Sequence, residues 1–392
     1  MRCSQRTISP LVGLLSLLML LGASACGPSA APAASKPAPA RGAPAPAQSA
    51  AAAPTSAAPA PAAASAVQPL DPPVSVSVGT VRIFVDIGLL TAIEKGYFKD
   101  EGLDVTIEIF RNTGEQIPAL TANQIQFAGT TIDPALFNAV ARDIPIKIVS
   151  EKSRNGPQHG AGGVVARTDL YDSGAIRELS QLRGKDIGTP SPQGIPRRYL
   201  ELALAKGGLT LDDVNLTTIP FPDMPAALAN KSLDAAWMNE PYLTLAVERG
   251  YARPLAKASD LYPTLITNLL VISARFAQEN PEAARRFVTA YLRGQRDYYR
   301  AFQLRQDEAL RQEIWQIAVK ENLVADPSLL DRMGVHAVEP NGYIDVPVIA
   351  EVQDWYAGQG LIPQPVDVST MVDRQYLDYA LQRLGTLPDP YR

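Results

Sequence analysis

From Val74 onward, apolar positions along the chain switch between two periods. Val74, Val76 and Val78, with Val81, Ile83 and Val85 beyond them, mark a β-rich stretch. Leu89, Ile93 and Tyr97 then recur every four residues, a helical stripe closed by Gly96. The pattern next predicts a strand over 103–110, a helix over 115–121, a strand over 125–129, a helix over 134–141 and a strand over 146–150. Such alternation with short connections argues for an open, mostly parallel sheet with helices on both faces.

The alternation restarts further on. A strand is predicted over 185–189 and a helix over 196–206, with Pro196 in its first turn and Gly207-Gly208 at its end. A strand over 214–219, a short helix over 224–228 and a strand over 233–238 follow. The stretch 118–127 resembles 226–235 in its order of residue types, with an apolar helix, a polar turn and a buried strand in each. A separation of 108 residues is far too long for a solenoid repeat, so the two stretches point to two lobes on one plan. Beyond 269–273 the pattern is helical. Asn280 precedes Pro281 and Glu282 at one helix start, and further helices are expected over 307–321, 347–357 and 373–384. With no new sheet to cover, these helices should pack back on the first lobe. The expected division is 74–168 plus 266–392 for lobe one and 169–265 for lobe two, with crossings near 169 and 265 acting as a hinge.

The segment ahead of this body is different in kind. Residues 1–69 carry Arg2, Arg6, Lys36 and Arg41 and no acidic residue. Residues 1–26 have the parts of a secretory signal: a positive start, an interrupted apolar run over 8–21, and Ala23-Ser24-Ala25 before Cys26. The run is too short and broken for a span of about 20 residues. Residues 26–69 include 20 Ala and 10 Pro, too little apolar bulk to offset the entropy of ordering, so 27–70 reads as a disordered tether. The Ala23–Cys26 stretch resembles a bacterial lipobox, with Ala23 where that motif usually has Leu. The resemblance implies lipidation at Cys26.

Charge and composition narrow the chemistry. Residues 70–392 hold 32 basic and 40 acidic residues, a formal −8, which argues against nucleic acid as a partner. Cys3 and Cys26 are the only cysteines, and His159 and His336 the only histidines. No Cys-based zinc site or disulfide framework is available to the body, and hydrolytic or redox catalysis, which leans on His, Cys or metal, is disfavoured. No metal and no cofactor are expected.

The run Glu94-Lys95-Gly96-Tyr97-Phe98-Lys99-Asp100-Glu101-Gly102-Leu103-Asp104-Val105 resembles a signature of the nitrate/taurine/sulfonate (NitT/TauT) family of ABC-transporter solute-binding proteins, which includes binders of thiamine pyrimidine precursors. Leu182-Arg183-Gly184-Lys185-Asp186-Ile187-Gly188, Ala227-Leu228-Ala229-Asn230 and Asn280-Pro281-Glu282-Ala283-Ala284 extend the resemblance over 76–385. Departures fall at turns, where Asn123 and Lys231 replace the usual Gly, and at Gln126, where an Asp is expected. The resemblance implies an α/β, two-lobed periplasmic-binding-protein-like fold (type II). It also implies a monomer outside the cytoplasm, in the periplasm or at the cell surface, that delivers a small solute to ABC permease and ATPase subunits. A pyrimidine-synthesising enzyme and a membrane-tethered sensor are the alternatives.

In open α/β sheets, ligands lie past the carboxyl ends of strands, near helix starts. Thr113 and Gly114 follow the second strand, Thr130, Thr131 and Asp133 the third, and Ser191, Gln193 and Gly194 the strand over 185–189. Free N–H groups and hydroxyls at such junctions can hold an oxyanion or a polar edge; taken one at a time, each is equally explained as a helix cap. Asp86 and Gly88 follow the first strand, Asn239 and Glu240 end a strand of the second lobe, and His159 lies in a Gly-rich loop. These polar, mostly uncharged groups suit a neutral or mildly anionic organic solute, with sulfonate, pyrimidine and flavin-like ligands all open.

Overall fold

The computed structural model describes residues 67–324 and 326–391. The signal segment over 1–26, Cys26 and nearly all of the tether lie outside the described residues. In chain order the elements that position the site are β1 (Val74–Thr80), α1 (Ile87–Glu94), β2 (Leu103–Ile109), α2 (Thr113–Thr121), β3 (Phe127–Thr131), α3 (Pro134–Val140), β4 (Ile146–Arg154), β5 (Gly162–Arg167), β6 (Asp186–Thr189) and α4 (Ile195–Lys206). They continue with β7 (Asn215–Thr218), β8 (Ala235–Asn239), α5 (Tyr242–Glu248), β9 (Ala252–Lys257), β10 (Ile266–Ser273), α6 (Pro281–Tyr298) and α7 (Val346–Gly358).

The strands form two five-stranded sheets, β2-β1-β3-β10-β4 and β7-β6-β8-β5-β9. In each, four strands run the same way and the strand in fourth position, β10 or β5, runs against both its neighbours, so each sheet is mixed with one reversed strand. The orders map onto each other position by position, as the internal likeness predicts. Gly79 of β1 and Gly188 of β6 occupy matching places: a Cβ on either would come within 2.6 Å of the methyl of Ile125 or Leu233. Asn123 and Lys231 both adopt left-handed backbone, φ 56° and 67°, after their helices. Gln126 Oε1 accepts from the Ser77 N–H (2.7 Å), and Asp234 Oδ2 accepts from the Asp186 N–H (3.2 Å), so each binds the neighbouring strand the same way.

The lobe boundary differs from the expectation at its first crossing. β5 belongs to the second sheet, so the chain leaves lobe one over 155–161 and not near 169. It returns between β9 and β10. The first β-rich stretch also ends early. Phe84–Asp86 is a 3₁₀ turn, because Asp86 Oδ2 accepts the Ile83 N–H (2.9 Å) and closes the chain on itself.

Lobe one is built on α6. Phe127 of β3 stacks on Phe287 of α6 with centroids 3.7 Å apart. Gly88 of α1 and Gly294 of α6 let these helices touch: a Cβ on Gly294 would overlap the Gly88 carbonyl and lie 2.8 Å from Ala92 Cβ. Among the described residues, no helix is long and apolar enough to cross a membrane.

Candidate functional site

Two groups of residues gather where the lobes meet. The first joins the starts of α3 and α4. The Tyr356 hydroxyl, carried by α7, donates to the Ile132 carbonyl (2.9 Å) and lies 3.9 Å from where a Cβ on Gly194 would stand. Tyr356 is held on lobe one by Phe137 of α3, centroids 6.4 Å apart. Burial raises the Tyr356 phenol, with the Asp133 charge adding to it, so the hydroxyl stays a donor. Gly194 has φ 84° and ψ −174°, a region essentially reserved for glycine, so a β-branched residue here would strain the backbone as well as fill the gap. Alongside, α7 lies on α4: Trp355 Nε1 donates to Glu201 Oε2 (2.6 Å), Arg197 Nη2 to Gln359 Oε1 (2.8 Å), and the Arg198 guanidinium sits 5.5 Å from the Trp355 ring centroid.

The second group lies at the crossing. Glu240 Oε1 accepts from the Gly334 N–H (2.9 Å) and the Thr244 hydroxyl (2.9 Å), while Oε2 accepts from the Thr244 N–H (3.0 Å). Both oxygens are therefore engaged within the protein. Burial raises the Glu240 carboxyl, and these three donors pull it back. Asn239 packs over Gly162. His159 is held in its own loop: Gly156 and His159 exchange backbone hydrogen bonds (2.9 and 3.0 Å), and the imidazole Nδ1 lies 3.0 Å from the Pro157 carbonyl.

The remaining expected positions divide. Thr113 and Thr131 come together, hydroxyls 2.9 Å apart, with the Thr131 N–H donating to Thr113 Oγ1 (3.2 Å). The Thr130 hydroxyl is fully buried and donates to the Thr131 carbonyl (3.1 Å). Asp133 caps α3 by accepting the Ala135 N–H (2.9 Å); burial raises its carboxyl and that bond lowers it. Ser191 Oγ accepts the Gln193 N–H (3.2 Å), and Gln193 is exposed. Gly114 lines a separate apolar groove of about 620 Å³ between α2 and α3, with Ile117, Pro118, Ala135 and Ala139. Asp86 and Gly88 are engaged by other residues of lobe one. Asp86 is buried and ion-paired with Lys152, and Gly88 packs against Gln295 of α6.

Sequence reasoning missed this interior polar cluster. Lys152 is 1% exposed, with its amine on Asp86 and over Gly129, where a Cβ would overlap it. Gln295 Nε2 donates to the Lys152 carbonyl (2.8 Å) and the Tyr291 hydroxyl (2.7 Å). Gln116 Nε2 points to the Gly129 carbonyl (3.4 Å), and its Oε1 is buried without a partner. His336 stacks on Tyr298, centroids 4.5 Å apart, and burial with the nearby Lys152 charge pushes its imidazole down to about 3. A signal did exist. The run Ser150-Glu151-Lys152-Ser153-Arg154 puts three charges directly after an apolar strand, and β4 carries all of them into the interior.

The model of the NMT1/THI5-like family matches residues 84–301. RibY, a riboflavin-binding protein of Chloroflexus aurantiacus, is 26% identical over 293 residues, covering 73% of this chain and 80% of that protein. Among solved structures, the periplasmic sulfonate-binding protein SsuA of a putative sulfonate ABC transporter from Methylobacillus flagellatus KT superposes with a TM-score of 0.61 at 17% identity, over 80% of this chain and 95% of that one. The desulfurization enzyme DSZB superposes at 0.58 and 17% identity, over 79% of this chain and 99% of that one. The two-lobed periplasmic-binding-protein fold expected from the sequence is thus the fold of the chain.

Proposed function

We propose that this chain, which belongs to the NMT1/THI5-like family, captures a small organic solute between its lobes outside the cytoplasm and passes it to an ABC permease with its ATPase. The observation that carries the reading is the meeting of Ile132, Tyr356 and Gly194, which brings strand-end junctions of both sheets within contact of one another. A solute seated there touches both lobes and stabilises the closed form by its differential affinity. The protein works as a monomer and performs no covalent chemistry on the solute. Mass spectrometry of small molecules released from the purified, denatured protein tests this. One unmodified solute at near-stoichiometric amount is expected. Tyr356→Phe on one lobe and Gln193→Ala on the other should each lower its affinity about fivefold; an effect confined to one lobe sinks the two-lobed site.

A second reading, as an enzyme, has the fold shared with DSZB in its favour. Recovery of a chemically altered solute after incubation would support it. Sequence alone supports the anchor: Cys26 follows small residues and precedes the Pro/Ala tether. Cys26→Ser should shift the protein from the membrane fraction to the soluble one. A variant that fractionates like the parent removes the anchor from the proposal.

A further inference from the structure

We infer that α7 is a latch between the lobes: a run of side chains reaches from it onto α4, holds the closed form together without solute, and so sets how tightly a solute is kept without touching it. The inference rests on the solute-binding reading above and concerns the regulation of that site.

α7 carries two stripes. Ile349, Val352 and Tyr356 recur at i, i+3 and i+7 and are buried. Tyr356 fixes the helix to lobe one through the Ile132 carbonyl and Phe137. Just past the helix, the Leu361 carbonyl accepts from Asn138 Nδ2 of α3 (3.0 Å). Glu351, Trp355 and Gln359 recur every four residues on a neighbouring face, which core packing does not require to be bonded to anything. Each of the three nevertheless reaches α4 of lobe two.

The contacts form one unbroken run. On α4, Arg197 and Glu201 stand one turn apart and pair (2.9 Å). Arg197 Nη2 donates to Gln359 Oε1 (2.8 Å), and Glu201 Oε2 accepts from Trp355 Nε1 (2.6 Å). The Arg198 guanidinium faces the Trp355 ring, 5.5 Å from its centroid, and lies 3.7 Å from Glu351 Oε1. Glu351 Oε2 accepts from the hydroxyl of Tyr262, on the return crossing between β9 and β10. Two guanidiniums and two carboxylates balance, so the engaged run is neutral.

The run therefore starts at the hinge and follows α7 outward from Glu351 to Gln359, about 12 Å at 1.5 Å per residue. Contacts placed away from a hinge part widest as lobes swing, so moving α4 off α7 breaks them together. The charged members keep between 19 and 55% of their side-chain surface exposed, so each pair is weak alone. Connected, they give a bias large enough to populate the closed form and small enough to reverse. That bias enters solute affinity through the fraction of protein already closed.

The test is the separation of the lobes in the full chain without solute. Asp104→Cys at the start of β2 and Asp212→Cys ahead of β7 are exposed positions for nitroxides, and Cys3→Ser with Cys26→Ser keeps label off the native thiols. Unfolding, dialysis and refolding remove any solute, and pulsed electron paramagnetic resonance reads the distance. The parent should show, as its main population, the separation these positions have in the structure. Trp355→Phe keeps the ring and removes the N–H; Glu351→Ala removes the carboxylate. Each should lower the closed-to-open ratio about fivefold. Glu351→Ala, at an exposed position, stands as the test if Trp355→Phe lowers the unfolding midpoint. Arg275→Ala breaks an equally exposed pair within lobe one, with Glu279, and should leave the ratio unchanged. A parent that is open without solute, or latch variants no more open than the parent, overturns the inference. Either result leaves the solute-binding reading intact, since no solute enters the measurement; that reading falls only if no solute is recovered by mass spectrometry.

Discussion

Lys152→Met should destabilise the protein by about 3–5 kcal/mol, the range for breaking a buried ion pair from one side. Lys152 and Asp86 are each 1% exposed. With the amine gone, Asp86 keeps only the Ile83 N–H (2.9 Å) against a full negative charge in the interior. Met fits the space of the lysine stem, so the loss comes from the stranded carboxylate and not from a cavity. The double variant Asp86→Asn/Lys152→Met removes both charges and should recover most of the stability, because a neutral pair incurs no ionic desolvation. Urea unfolding of the three proteins measures this. A single variant as stable as the parent would mean that the pair contributes nothing.

The second large effect is on the pH profile. Burial pushes the Glu151 carboxyl up to about 8, with Glu339 adding and Arg154 opposing, against about 4.5 in the unfolded chain. Between those values the native protein holds the proton and the unfolded chain does not. Stability contributed by this group is therefore present below 4.5 and lost as pH rises toward 8. His336 works in the opposite sense. Its imidazole is pushed down to about 3 by burial and by the Lys152 charge, against 6.5 unfolded. Its contribution is present above 6.5 and lost as pH falls toward 3. The slopes oppose each other between about 4.5 and 6.5, so stability should be flat there. It should then fall by about 2 kcal/mol from pH 6.5 to 8, at about 1.4 kcal/mol per unit. Glu151→Gln should abolish the alkaline fall and, with the opposing slope gone, replace the flat region by a loss of stability as pH falls from 6.5 to 4.5. Equal alkaline losses in the variant and the parent would assign the fall to other groups.

The parallel strands and the long helices were legible because burial on both faces gives apolar runs, and burial on one face gives a helical stripe. The helix predicted over 307–321 is present as Glu308–Lys320, with Asp307 Oδ1 accepting the Leu310 N–H (2.9 Å) at its start. Two strands are not legible in the pattern: β5, which runs against both its neighbours, and β9 beside it at the sheet edge. β5 opens on Gly162-Gly163, and β9, at the sheet edge, contains Pro254. Glycine and proline are the residues that sequence reading treats as strand breakers, although an edge tolerates proline. Without β5, the first crossing was placed too late.

The site was legible by location more than by partner. Polar groups do gather at strand ends, where Thr113 meets Thr131 and Asp133 caps α3. Asp86 and Glu240 look like ligand contacts in sequence because their near neighbours, the Ile83 N–H and Thr244, engage them only in part. The remaining groups that engage them, Lys152 and the Gly334 N–H, lie 66 and 94 residues away. Tyr356, which bonds the Ile132 carbonyl and faces Gly194, sits in a helix whose apolar face reads as ordinary core.

The way the chain passes between lobes sets the mechanics of closure. β4 and β10 leave lobe one side by side, with Arg154 paired to Ile266 and the Asn155 N–H donating to the Leu265 carbonyl (2.9 Å). On its other edge Arg154 exchanges backbone hydrogen bonds with Ala337 (2.9 Å each), so a third segment is laced to the same ribbon. A hydrogen-bonded ribbon bends readily across its thin dimension and resists shear within its plane, because in-plane sliding breaks every rung at once. The lobes should therefore move along one compliant direction, as two plates on a leaf spring. A solute held between the lobes would then have a single coordinate to act on.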